Sequence, residues 1–185
     1  MLDIAVVDCD DLYCEEQITR WLVPLHQAVP HLIVCCYAIP NKLGPAHALR
    51  SRYPWVVFAI HGWEHSQFET RAWTDTLARA HIEKALEMGY APLFKAPNWL
   101  EEPFLEEVCA ALSVVLHHHD TYKPTAVGLR AFPGPHPRTD FESVHTHIAR
   151  NPATDFIEDH PKFQPEHLAQ FTRFATPLEL AIQVA

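Results

Sequence analysis

Apolar and β-branched residues bunch at intervals along this chain: Ile4 to Cys9, Leu32 to Ile39, Trp55 to Ile60, Ala91 to Phe94, Val114 to His118, Val127 to Phe132 and Ser143 to Ile148. Each run reads as a short strand. The first three are almost continuously apolar instead of alternating with polar residues, the pattern of strands buried on both faces of a parallel sheet or barrel.

Between the runs the period becomes helical. Leu77, Ile82, Ala85 and Leu86 fall mainly on one face, with Gly89 placed to terminate that helix, and Leu105, Val108, Cys109 and Leu112 follow i, i+3, i+4, i+7. A further helix is predicted over Pro165 to Phe174, with proline in its first turn and Leu168 and Phe171 turned inward. Strand then helix, repeated, implies a parallel α/β architecture. The Pro-rich stretch from Phe132 to Pro137 reads as a loop, because too little chain follows it to build a second core; residues 1–185 therefore read as one domain.

Composition narrows the partners. A formal net charge of −9, with no Lys/Arg stripe, disfavours nucleic acid and anionic membranes. No apolar run approaches the roughly 18 residues of a membrane helix. The amino-terminal residues, with an acid at Asp3 and no basic segment, do not read as a signal peptide. Five cysteines, an odd number set mostly in apolar runs, read as reduced core thiols, so a cytoplasmic location is expected.

The chemistry is suggested by position. Fourteen histidines cluster as His61 with His65, His117 to His119, and His145 with His147. Asp10 and Asp11 follow the first strand, His61 the third, Lys95 the fourth, His118 to Asp120 the fifth, and His145 and His147 close the seventh. All lie at the carboxyl ends of strands, where parallel β/α barrels build their sites. Two imidazoles four residues apart, His61 and His65, meet on one face if their segment begins a helix. A third ligand must come from elsewhere, and Asp11 would complete a two-His, one-carboxylate face with positions left open. The plainer reading of Asp8, Asp10 and Asp11 is a solvated turn, which their place after a buried strand weakens.

These residues resemble the polysaccharide deacetylases of the NodB-homology fold, carbohydrate esterase family four. Val7-Asp8-Cys9-Asp10-Asp11-Leu12-Tyr13 is similar to the family's first motif, His61-Gly62-Trp63-Glu64-His65 to its second and Phe94-Lys95-Ala96-Pro97-Asn98-Trp99 to its third. The resemblance spans Ile4 to Ile148 and implies an irregular (β/α)7-type barrel with parallel strands. It also implies that Asp10 is the base and that Asp11, His61 and His65 hold a divalent metal, zinc fitting the ligands best and other first-row metals remaining open. Lys95 stands where the family usually has an Arg that orients the base, and Lys lacks Arg's planar fork. Ser143 to Ile148 resembles the final motif, in which a histidine is the general acid: His147 is favoured, with His145 on the same strand face as the alternative. No counterpart of the fourth motif is visible between Trp99 and Val144. His117-His118-His119-Asp120 occupies that place, either lining a cleft, with His118 as a substrate contact, or simply forming a polar loop.

The activity implied is hydrolysis of an N-acetyl or related acyl group from an amino sugar or small amide. Trp63, Trp99, Pro97 and His145 near the mouth would contact substrate, although core packing is the commoner fate of Trp. Two other readings share the residues: a catalytically silent metal- or carbohydrate-binding domain, and an Fe(II) oxygenase, which also uses two His and a carboxylate but commonly on an antiparallel jelly roll.

Overall fold

The computed structural model describes residues 4–117, 145–150, 165–169 and 173–179. Among them, β1 (Ile4–Leu12), β2 (Val34–Ala38), β3 (Val56–Ile60), β4 (Leu93–Phe94), β5 (Val115–Leu116), β6 (His145–Arg150) and β7 (Arg173–Phe174) form one sheet in which every pairing is parallel. The strands run in the order β5-β4-β3-β2-β1-β6, and β7 also pairs with β1. This is the α/β arrangement that the apolar runs predict.

The period of two along each strand divides the sheet into two faces. Register links Asp8 to Cys35, Cys35 to Val57, Tyr37 to Ala59 and Leu93 to Val115. On that face Cys35, Tyr37, Ala59, Leu93 and Val115 form a small buried cluster of their own. The other face carries Val7, Cys9, Val34, Cys36, Phe58, Ile60, Phe94 and Leu116, which pack with Ile18, Leu22, Leu25, Ile82, Ala85, Leu105 and Val108 from the helices as the main core. Helices therefore cover one face, and the other is free to carry polar groups at the strand ends.

The two helices read from periodicity are present at Asp75–Glu87 and Phe104–Ala111. The first opens with Thr74, whose Oγ1 accepts from the Leu77 N–H at 3.2 Å, and it gives way to Gly89 at φ +92°, a backbone angle that glycine adopts without strain. Ile82 and Ala85 are buried as expected, but Leu77 remains 40% exposed.

Two elements differ from the sequence reading. Pro165–Leu168 is a single helical turn, and Phe174 belongs to β7. Leu168 and Phe174 are both buried, the first on the helical turn and the second on a strand paired with β1. The last apolar run forms β6, described from His145 to Arg150, so the strand continues two residues past its expected end at Ile148 and His145 and His147 lie within it. The expected strand Val127 to Phe132 lies outside the described residues. No described helix is long and apolar enough to cross a membrane, and all five cysteines are free thiols.

Candidate active site

β1 continues through Asp10 and Asp11 to Leu12, beyond the expected end at Cys9. Its register against β2 slips between Cys9 and Leu12, and Asp11 there has φ +58°. Alternation puts Asp8 and Asp10 on the face of the small cluster and would send Asp11 to the opposite one. A bulge re-aims the side chain at the irregularity, so two consecutive carboxylates serve the same mouth.

His61 follows β3 directly and is buried. Its Nδ1 lies 2.9 Å from the Lys95 carbonyl oxygen. A carbonyl only accepts, so Nδ1 carries the proton and Nε2 presents a lone pair, the tautomer a metal ligand needs. Burial also holds the His61 pKa below the ordinary histidine value, favouring the neutral ring. His65 reaches the same place without the helix that the four-residue spacing invited: residues 61–66 form a loop in which Gly62 has φ +65° and His65 φ +57°. Left-handed backbone in a residue with a side chain is costly and clusters at functional sites; here it occurs at both Asp11 and His65.

The three side chains converge. Asp11 Oδ1 lies 2.8 Å from His65 Nε2 and 3.5 Å from His61 Nε2. One ligand atom from each residue lies within 4.8 Å of the other two. A neutral imidazole lone pair facing a carboxylate oxygen places two acceptors together, an arrangement that a shared cation satisfies, and His₂-carboxylate is a known donor set for zinc and Fe(II) with positions left open. Burial pushes the Asp11 pKa up, but the His65 hydrogen bond and the nearby His61 and Lys95 outweigh it and hold it below the usual carboxylate value; the bond to Asp11 in turn raises His65.

Beneath this triad lies a buried polar cluster that sequence reasoning saw only in part. Lys95 follows β4, is 0% exposed, and its Nζ donates to Asp10 Oδ1 at 2.7 Å and to Asp8 Oδ2 at 3.3 Å while standing 4.6 Å above the Tyr37 ring. Burial alone would lower its pKa, but the charges of Asp10 and Asp8 more than offset this and hold it above the usual lysine value. The Tyr37 hydroxyl bonds His117 Nδ1, and His117, just past β5, is fully buried. Asp8 is therefore no part of a solvated turn, and Tyr37 is an unanticipated member. Both continue the period-two series on their strands. Because breaking a buried ion pair by removing one partner costs about 3–5 kcal/mol, Lys95→Met is expected to lower unfolding free energy by that order. Urea denaturation of the variant beside Lys95→Arg, which keeps the charge, checks this.

The remaining expected site residues are placed unevenly. Trp63 is half-buried, packs on the core and stacks against His81 with ring centroids 5.0 Å apart. Pro97 is buried and its ring packs beneath Gly62. His118 and the side chains of Trp99, His145 and His147 lie outside the described residues. The β6 backbone sets His147 level with Val6 and His145 level with Ile4. Four residues separate Val6 from Asp10, about 13 Å along a strand.

No protein-family model and no curated protein matches the chain. Solved structures do, and their fold, the (β/α)7 barrel of the family 4 carbohydrate esterases, is the fold of this chain. A family 4 acetyl xylan esterase from Clostridium thermocellum in complex with a cobalt ion aligns over 98% of this chain and 91% of its own, with TM-score 0.62 and 15% identity. A peptidoglycan N-acetylglucosamine deacetylase aligns over 98% and 88%, with TM-score 0.61 and 16% identity. A family 4 pseudoenzyme from Bacillus anthracis aligns over 97% and 65%, with TM-score 0.57 and 9% identity.

Proposed function

We propose that this chain, built on the family 4 carbohydrate esterase fold, is a metal-dependent hydrolase that removes an N-acetyl or related acyl group from an amino sugar or other amide. The observation that carries this reading is the meeting of Asp11, His61 and His65 ligand atoms beside Asp10, whose carboxylate is held by the Lys95 ammonium.

When bound by Asp11, His61 and His65, a divalent cation supplies Lewis acidity that polarises an acyl carbonyl and acidifies water, and zinc suits the donor set. The chain's own part is positional. Asp10 stands one residue from Asp11 and accepts the proton released as water adds to the carbonyl carbon. Lys95 fixes that carboxylate, and Asp8 shares the Lys95 charge from below, so the base keeps one orientation through the reaction. Asp10, Lys95 and His61 lie where solvent access is small, which strengthens their electrostatic effect. The departing amine needs a proton, and His147 is proposed to supply it on the family resemblance alone, since its backbone register places it well below Asp10.

A catalytically silent domain is favoured by one observation, Lys in place of the family's Arg, and the likeness to a pseudoenzyme gives that reading a precedent. The 2.7 Å bond from Lys95 to Asp10 weighs against it, because the substituted side chain still reaches the base. The oxygenase reading loses its structural setting, since every strand pairing among the described residues is parallel. Incubation of zinc-loaded protein with N-acetylated monosaccharides, oligosaccharides and small amides tests the proposal. Acetate release that a chelator abolishes supports it, and its absence from a metal-loaded protein across all these substrates favours the silent domain.

A further inference from the structure

The loop that carries His65 has no helix or strand to hold it, yet it must present an imidazole to Asp11 with its own backbone left-handed. One buried side chain accounts for its shape. Glu69, 6% exposed, accepts through Oε1 from the N–H groups of Trp63 and Glu64 and through Oε2 from the N–H of His65, each at 2.8 Å. Three consecutive amides thus converge on one carboxylate, the concave backbone arrangement that binds anions. Hydrogen bonds from neutral amides to an ionised acceptor are among the stronger in proteins, and three of them offset the strain at His65.

The clamp also explains Gly62. A Cβ there would stand 2.4 Å from Glu69 Oε2 and 2.4 Å from Pro97 Cγ, and the residue has φ +65°. Only glycine lets the carboxylate approach this closely between the two imidazole-bearing residues. The loop is held from outside as well: the Asn41 N–H donates to the Trp63 carbonyl at 3.1 Å, and Asn98 Nδ2 to the Gln67 carbonyl at 3.4 Å.

We infer that Glu69 is the positioning residue of the metal loop, fixing His65 for cation binding through the backbone amides of Trp63, Glu64 and His65. This rests on the proposed metal site and adds a residue that touches neither cation nor substrate. Outer partners of this kind are worth about 10–100-fold in metal affinity. The nearly isosteric Glu69→Gln replaces one accepting oxygen with an amino group that cannot accept.

Co²⁺ titration of the full chain, followed by its visible absorption, tests the assignment. Glu69→Gln is expected to bind Co²⁺ about 10–100-fold more weakly than wild type, with an altered band shape that reports changed ligand geometry, which a loss of stability alone would not produce. Equal affinity and an unchanged spectrum overturn the positioning role while leaving the metal site intact. A wild-type protein that takes up no Co²⁺ overturns both. Should Glu69→Gln not fold, hydrogen exchange in metal-free wild type decides: slow exchange at the Trp63, Glu64 and His65 amides supports the clamp, and exchange at open-loop rates overturns it.

Discussion

Replacement of His61 by alanine is expected to abolish metal binding and hydrolysis together, bringing turnover to the level of chelator-treated wild type. The side chain is buried, its tautomer is fixed by the Lys95 carbonyl, and its Nε2 faces Asp11. Alanine removes one of the three proposed ligands, leaving Asp11 and His65. Two protein ligands hold a cation poorly, and a catalytic centre of this kind uses three with the remaining positions open. Metal content after dialysis, read beside acetate release, separates the outcomes. A His61→Ala protein that retains stoichiometric metal and turns over substrate would show that the cation sits elsewhere.

Asp10→Asn has the opposite signature: metal retained, turnover lost. A general base contributes typically about 10²–10⁴-fold, and an amide in place of the carboxylate cannot take the proton. The substitution preserves shape, Asp11 keeps its contacts with His61 and His65, and Lys95 keeps Asp8 as an anionic partner at 3.3 Å. Stability should therefore fall much less than in Lys95→Met, which leaves two carboxylates facing each other without the cation between them. Steady-state rates with parallel metal analysis check the split. Wild-type turnover in Asp10→Asn refutes the base assignment.

The two substitutions divide the site in the same way that the sequence does. The strands that deliver it were legible because a parallel sheet buried on both faces leaves nearly unbroken apolar runs, and polar residues just beyond those runs stand out. His61 and Lys95 were visible for that reason. Asp11 was visible as a residue type, although the bulge that turns it toward His65 depends on tertiary pairing with β2. Asp8 and Tyr37 were hidden within their runs, yet stepping back two residues from Asp10 along β1, and two forward from Cys35 along β2, reaches them on the face that carries Lys95. Glu69 left no such trace, since its role is set by backbone amides that are not consecutive to it and by a glycine whose need appears only when the carboxylate is in place.

At the carboxyl end of the chain the pattern misled. Helical spacing predicts a helix through Phe174, whereas Arg173 and Phe174 form a short strand against the first residues of β1. The last apolar run continues as strand to Arg150, two residues past the expected end at Ile148, so His147 lies within β6 instead of closing it.

The central claim is that one divalent cation binds between Asp11, His61 and His65 beside the Asp10 carboxylate. Anomalous diffraction from crystals of the zinc-loaded protein tests it most directly. A single strong peak coordinated at about 2.0–2.2 Å by one atom from each of the three residues, with Asp10 close by and uncoordinated, is the predicted result. A zinc peak at another cluster, or none at all with the two imidazoles turned away from Asp11, would contradict it.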